Sequence, residues 1–353
     1  MQSLKALKSY LIEFLNIIKN EKECGYKHCN NAYHSYSVDA TTLGIDLCHM
    51  LGIQLMDDSD AINKLLRYQD PASGFFYESF AHNGNLNEPR IEEIVGTYTS
   101  FQIAGILNHY RYTPFKPFEF YNQYISEGSF YQYCSKFMPW NSAPTGAGGM
   151  VDHAATMVKN NIMRGDKIQQ RIIDEMVEWA NRNQSKSHGL WGSKRAKGTN
   201  GLVIAGYHLM RGLHFNMGLI PQYPDKIIDT TLASIDQARK QSFDSCNGCF
   251  DLDHFFILER MCEFTENNYR QNEIRTVSEE RYELIIKNHF IKPGFTFNRM
   301  RSIRRHYEYM VSPGEPTPDI VGSVFYLETI CRIHRILNLD FGTAINSSIT
   351  HGC

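Results

Sequence analysis

The sequence predicts an all-α protein built from stacked helical hairpins. Apolar residues recur with helical spacing along the chain, and there is neither sustained period-two alternation nor an Asn-Gly turn between β-rich runs. A glutamine is followed five residues later by a glycine and then by an aromatic residue, once from Gln69 to Phe76 and again from Gln184 to Trp191. Such a unit cannot bury its own apolar face, so we expect its copies to stack on neighbouring units.

The helices can be assigned in order from apolar periodicity and turn residues. The first is predicted over 1–20, where leucines recur every three or four residues, and a polar loop rich in His, Cys, Asn and Tyr follows it. We expect residues 1–37 to pack onto one domain that spans 1–353. Turns with Gly, Pro or Asn separate the other predicted helices, which are 38–55, 59–68, 91–110, 146–160, 166–183, 200–218, 224–241, 251–265, 278–290 and 319–337.

Apolar faces on alternate helices favour a closed ring of inner and outer helices, an (α/α) toroid. An open superhelical solenoid is the alternative, although its repeats are usually more regular than these unequal units. In a toroid, the loops that enter successive inner helices meet at one end of the ring. Glycine-containing loops of this kind occur at 73–80, 142–153, 194–201, 246–254 and 313–322. The mouth that they form is the predicted active site.

Composition narrows the range of functions. A formal net charge of -2 lacks the basic excess of a dedicated nucleic-acid binder. The count of 9 cysteines is odd and their spacing irregular, which favours a reduced, cytoplasmic protein over a disulfide scaffold. No apolar run reaches the roughly 20 residues that span a bilayer. Walker, Gly-x-Ser-x-Gly and His-Glu-x-x-His motifs are absent, so nucleotide hydrolysis, serine esterase and zincin chemistry lack support.

The predicted mouth carries polar residues suited to binding or catalysis. Glu78, Asp152, His153 and Asn200 come from its first three loops, and His153 follows a glycine-rich run that allows close approach of a ligand. Any single Asp or Asn at a helix start is better explained as an N-cap than as a catalytic residue. Their convergence on one rim is what favours a site, and helix N-termini there would also attract an anionic substrate group.

The two glutamine-turn-aromatic segments resemble the QW repeats of the terpenoid cyclase and protein prenyltransferase toroid superfamily. The segment Asp251-Leu-Asp253-His254 is similar to the Asp-rich acid motif of class II terpene cyclases. By this resemblance Asp253 would protonate an alkene or epoxide, with Asp251 as its neighbour, because adjacent buried carboxyls can retain a proton at neutral pH. His254 replaces the last Asp of the motif and is a candidate substrate contact.

The prenyltransferase resemblance also implies a metal. Those enzymes bind zinc through an Asp-x-Cys pair and a later His, and Asp244, Cys246 and His306 supply these ligand types in the same order. The sequence implies no cofactor firmly, and zinc is the one candidate that this resemblance offers. Buried cysteines without a ligand are the alternative interpretation.

A cationic and aromatic segment at 297–309 supplies further candidates. Arg301 and Arg304 could hold a diphosphate or a uronate carboxylate through two-point contacts, with Tyr307 beside them. A solvated basic strip explains the same residues equally well.

Three functions are compatible with these residues. The leading hypothesis is a terpenoid cyclase-like enzyme, in which Asp253 starts the reaction and aromatic rings shield carbocations. The alternative is a carbohydrate-active toroid enzyme of intracellular glycan metabolism, a uronate lyase or sugar epimerase, in which His153 or Tyr307 moves the proton beside a neutralised carboxylate. The third is a non-catalytic helical-repeat protein that binds a partner in a shallow groove. We therefore expect a small-molecule or glycan substrate.

Overall fold

The structure, a computed structural model, describes residues 4–80, 89–215, 221–241, 243, 246–307 and 309–351. It confirms that the protein is mainly α-helical. In chain order the helices of this part of the chain are α1 (Leu4–Ile18), α2 (Val38–Leu51), α3 (Asp58–Leu66), α4 (Pro89–Tyr110), α5 (Ser129–Lys136), α6 (Pro144–Met163), α7 (Gln170–Asn183), α8 (Lys194–Leu209), α9 (Pro224–Gln241), α10 (Gly248–Cys262), α11 (Gln271–His289) and α12 (Ile320–Leu337).

Shorter elements connect these helices. Single 3-10 turns occupy Glu119–Tyr124 and Lys167–Gln169, and a π-helical turn continues α8 over Met210–Phe215. Three antiparallel hairpins of two-residue strands pair β1 (Lys19–Asn20) with β2 (Gly25–Tyr26), β3 (Phe290–Ile291) with β4 (Gly294–Phe295), and β5 (Arg305–His306) with β6 (Tyr309–Met310).

The helix boundaries differ most from the predictions at α5, α8 and α11. Helix α8 begins at Lys194, so the stretch predicted as a loop at 194–201 forms its first turns. The sequence analysis did not predict α5, whose closely spaced aromatic residues have only moderate helix propensity. It also started α11 at residue 278, whereas the helix begins at Gln271, directly after Asn267, Asn268 and Arg270, which all have positive φ angles. That left-handed turn marks the start of the helix more clearly than its polar first residues do.

The glutamine turns have the structural role that the sequence predicts. The Gln184 side chain donates to the Gly189 carbonyl at 2.7 Å and accepts from the Gln222 backbone at 3.1 Å. Trp191 is fully buried, and its indole donates to the Ala180 carbonyl at 2.8 Å. Each turn therefore ties the end of one helix to the start of the next hairpin.

The first glutamine turn repeats this arrangement. The Gln69 side chain donates to the Gly74 carbonyl and to the Lys116 carbonyl, both at 2.8 Å, and Phe76 is fully buried. The two segments are thus equivalent in structure as well as in sequence.

The even-numbered helices contact one another in chain order from α2 to α12, and α12 in turn contacts α2. Among the odd-numbered helices, α1, α3, α7, α9 and α11 pack against even-numbered neighbours. Nearly all residues of α2 and α12 are buried, as expected for helices enclosed by others. One hydrophobic core connects residues from α1 through α12. Within the described residues, no helix combines the length and apolarity that crossing a membrane requires.

The segment after α12 runs back between the even-numbered helices. Asp46 of α2 accepts hydrogen bonds from the Ser348 hydroxyl and the Ile349 backbone, both at 2.7 Å. The Tyr207 hydroxyl of α8 donates to the His351 carbonyl at 3.1 Å. Because His351 is only 6% exposed, the end of this segment lies inside the protein.

Replacing Trp191 with Ala should lower the free energy of unfolding by about 3–5 kcal/mol, because it empties a fully buried site and removes an indole hydrogen bond. Chemical denaturation followed by circular dichroism measures the change. Phe115→Ala is the matched control, since that ring is 69% exposed and its loss should change stability by about 0.5 kcal/mol or less. Equal losses in the two variants would contradict the structural role of the turn.

Candidate functional site

The start of α2 is held by a buried carboxylate from the loop before α4. Ser37 caps the helix and accepts from the Ala40 backbone at 3.1 Å. Glu78 accepts from the Ser37 hydroxyl at 2.7 Å and from the backbones of Val38 and Asp39 at 2.8 and 2.9 Å. Burial and the nearby Asp39 raise the pKa of Glu78 to about 7. The structure thus places this predicted substrate contact at a helix N-terminus, where it positions Asp39.

Two histidines from distant segments meet at Asp39. The His306 Nδ1 atom of β5 lies 2.5 Å from Asp39 Oδ2, and His28 Nε2 lies 3.7 Å from the same oxygen. One ligand atom from each of the three side chains lies within 4.8 Å of the others. The adjoining cavity measures about 10 Å³, room for one ion or water molecule.

Tyr98 extends this cluster to a chain of three side chains. Its hydroxyl lies 3.3 Å from His306 Nε2 and also accepts a hydrogen bond from the Gln102 amide. Asp39 therefore holds one ring nitrogen of His306 while Tyr98 contacts the other. The pKa of Tyr98 is raised well above its usual value, chiefly by burial, so this side chain is a neutral phenol at rest.

His153 and Tyr307, both predicted catalytic residues, lie against Tyr98. The Tyr307 ring stacks on Tyr98 with centroids 3.2 Å apart, and the His153 ring meets it edge-on at 5.8 Å. His153 also stacks on Phe101, and burial lowers its pKa to about 3, so its imidazole is neutral near pH 7. The structure thus brings these two candidates together around a residue that the sequence analysis did not select.

A second polar cluster surrounds Asp152. His208 Nδ1 lies 2.9 Å from Asp152 Oδ2, and Arg211 Nε donates to the same oxygen at 3.0 Å. Burial disfavours the carboxylate, but Arg211 and His208 together lower the pKa of Asp152 below its usual value. The sequence analysis predicted Asp152 as a substrate contact. In the structure its carboxylate oxygens contact His208 and Arg211 instead.

Asp253 is the least satisfied carboxyl of this region. It is 3% exposed and has no hydrogen-bond or ion-pair partner among the described residues. Burial raises its pKa well above the usual value, and the negative charge of Asp152 adds to the effect while Arg211 opposes it. Burial therefore favours the protonated form of Asp253, which remains a candidate proton donor.

Asp251 and His254 face other partners. Asp251 forms a fully buried two-point ion pair with Arg281, whose Nε and Nη2 atoms donate at 2.6 and 2.7 Å. His254 donates from Nδ1 to the Phe250 carbonyl at 2.7 Å and lies 2.9 Å from the Ser234 hydroxyl of α9. All polar atoms of the His254 ring are occupied within the protein. The predicted acid pair thus reduces to Asp253 alone, and His254 has a packing role.

The other candidates lie outside the cluster. Arg301, Arg304 and Asn200 are exposed at the surface. Asp244 lies outside the described residues, so the predicted zinc set of Asp244, Cys246 and His306 is not tested at that position. Among the described residues, the group that converges with His306 consists of His28 and Asp39, without Cys246.

The chain matches no protein-family model, no curated protein and no solved structure. Assignment of a function therefore depends on the geometry of the site.

Sequence reasoning missed Asp39, His28 and Tyr98. Asp39 lies two residues after the Ser37 cap, and His28 lies in the His-rich loop before α2, so both had a local signal as residues at the entry to a helix. Tyr98 had none, because an aromatic residue in the middle of a helix is usually part of the core.

Replacing Asp253 with Asn should raise stability relative to the wild type, by an amount that grows with pH. Above about pH 4 the unfolded chain ionises at this position while the folded protein keeps its proton, so wild-type stability falls by up to about 1.4 kcal/mol per pH unit. Asparagine cannot ionise, so the variant escapes this loss. Urea unfolding at several pH values up to neutrality measures the difference.

Asp251→Asn is the control on the same helix. It should destabilise the protein by about 3–5 kcal/mol at neutral pH, because it leaves the Arg281 guanidinium buried without its counter-ion. A stability difference between Asp253→Asn and wild type that does not vary with pH would show that Asp253 is already ionised in the folded protein.

Proposed function

We propose that the protein is an (α/α) toroid enzyme that moves a proton on a carbohydrate substrate, of the uronate lyase or sugar epimerase type. The contacts of the even-numbered helices support the fold, because they run from α2 to α12 and return to α2. The observation that carries the activity is the chain formed by Tyr98, His306 and Asp39, with contacts of 3.3 and 2.5 Å.

The three side chains repeat the logic of a nucleophile, base and orienting carboxylate. Asp39 raises the pKa of His306 against the opposing effect of burial, so the base is the neutral form of this histidine. As Tyr98 takes a proton from the substrate, its own phenolic proton passes to Nε2 of neutral His306, and Asp39 stabilises the resulting imidazolium through Nδ1. The hydrogen bond from Gln102 stabilises the developing phenolate. Donation of a proton by water to the opposite face gives epimerisation. Departure of a neighbouring oxygen substituent, protonated by the His306 imidazolium through Tyr98, gives elimination.

The cavity of about 10 Å³ beside Tyr98 is too small for a sugar ring, but its polar lining suits an oxygen substituent of a substrate better than a hydrocarbon. The cavity is lined by polar groups of His28, Asp39 and Glu78. Tyr307 is 39% exposed and offers the face of a ring on which a sugar can stack.

The isoprenoid hypothesis keeps one specific observation in its favour, the buried Asp253, whose pKa is raised by burial. That carboxyl could start a cyclisation by protonating an alkene or epoxide. A prenyl diphosphate that stabilises the protein against heat, and whose turnover disappears in Asp253→Asn but not in Tyr98→Phe, would favour this function over the carbohydrate proposal.

We also propose that the cluster of His28, Asp39 and His306 can bind a zinc ion. The Nδ1 atom of His28 and the Oδ1 atom of Asp39 are buried without a hydrogen-bond partner, which the proton-transfer chain alone does not explain. Two imidazoles and one carboxylate are a common catalytic zinc set. When bound, zinc would supply Lewis-acid stabilisation of a substrate oxygen. Tyr98 would still be the residue that takes the proton from the substrate.

Tyr98→Phe should lower kcat by about 10²–10⁴-fold, because it removes only the proton-transferring hydroxyl. The assay incubates oligouronates and nucleotide sugars in deuterated water, and measures deuterium incorporation or unsaturated product by NMR. Tyr26→Phe is the matched control, since it removes another buried phenol, bonded at 3.3 Å to Cys48. Full turnover by Tyr98→Phe of any substrate that the wild type converts would contradict the mechanism.

Zinc content tests the metal proposal separately. Wild-type protein dialysed against zinc should retain one ion per chain by mass spectrometry of the metal, and His28→Ala should weaken binding by at least about 10-fold. His34→Ala is the control from the same loop, because His34 stacks on Phe80 and is not part of the cluster. Equal zinc retention in all three proteins would show that the ion binds elsewhere.

A further inference from the structure

We propose that a second cavity, at the opposite ends of the even-numbered helices, binds a phosphate-bearing small molecule. It measures about 540 Å³ and is bordered by the last turns of α2 and α4, the C-terminal half of α6 and the segment 347–349. This volume lies within the range of small-molecule sites. The inference does not depend on the reaction proposed above.

The charges of the wall point to an anion. Arg111, Lys159 and Arg211 line the cavity together with His49 and His109, and the lining contains no carboxylate. Composition does not explain this, because the chain as a whole has a net charge of -2. An acid-free wall with two cationic side chains that have no ion pair among the described residues, Arg111 and Lys159, is the expected counterpart of an anionic ligand.

Two of the three cationic side chains form no ion pair among the described residues. Arg211 is paired with Asp152, but neither Arg111 nor Lys159 has an ion-pair partner among the described residues. Their position near helix C-termini gives each a small favourable interaction with the helix dipole. The dipole effect explains one cation at the end of one helix. It does not explain why cations from α6 and from the end of α4 line the same cavity.

The remaining wall fits a phosphorylated organic molecule. Arginine offers paired donors and lysine a point charge, which is the combination that phosphate groups commonly receive. Ala155, Met163 and Ile349 supply an apolar surface in the same cavity for the rest of the ligand. Arg211 also donates to the Thr350 carbonyl at 2.7 Å, so the floor of the cavity is tied to the C-terminal segment.

The test is isothermal titration calorimetry of the full chain with inorganic pyrophosphate and with ADP, in buffer at about 0.15 M salt to screen non-specific attraction. We expect saturable binding that is weakened at least about 10-fold in the double variant Arg111→Gln/Lys159→Gln. Arg111 is exposed and Lys159 half-buried, so neither change should impair folding; the melting temperature of the unliganded variant checks this.

The double variant Arg301→Gln/Arg304→Gln is the matched control, because it removes two exposed arginines from the segment that the sequence analysis favoured for phosphate binding. This control should bind both probes as wild type does. Failure of wild type to bind either probe, or loss of binding in the control but not in Arg111→Gln/Lys159→Gln, would overturn the proposal.

Discussion

The fold depends on one constraint, that polar groups enclosed among the even-numbered helices must find partners there. Helices α2 and α12 are buried on almost every side, so water cannot satisfy their charges. These charges form ion pairs inside the protein instead. Asp251 pairs with Arg281, and Arg332 pairs with Glu259 at 2.5 Å and with Glu328 at 2.7 Å. Removing one member of such a pair leaves a buried charge, which costs more than the pair itself contributes.

Several residues that escape this pairing lie in the candidate site. The Nδ1 atom of His28 and the Oδ1 atom of Asp39 are buried without a hydrogen-bond partner, as are both ring nitrogens of His334 outside the site. The Asp253 carboxyl likewise has no hydrogen bond or ion pair among the described residues. A group left unsatisfied at such a cost is best explained by a ligand, a proton or an ion that satisfies it during function. Packing alone gives no reason to retain it.

Local sequence signals predicted the helices and the glutamine turns because the interactions that form them are local. Gln184 and Gly189 are bonded across one turn, so their spacing reveals the contact. The site was only partly predictable. Asp253 was selected as a buried carboxyl, and the structure buries it. For Asp251, however, no residue nearby in the sequence indicates that Arg281 neutralises it. Likewise His28 and His306 come from opposite ends of the chain, and only closure of the helices onto one another brings both to Asp39.

The helix dipoles explain why the two ends of this arrangement differ in charge. Glu78 and Asp39 lie at the N-terminus of α2, where a partial positive charge favours carboxylates, and Asp319 caps α12 in the same way. These carboxylates make that end attractive to a proton or a metal ion once the dipoles are satisfied. At the other end, Arg111 follows the last turn of α4 and Lys159 lies in α6, and neither has an ion-pair partner among the described residues. These two cationic side chains are the reason for proposing an anionic ligand at this end.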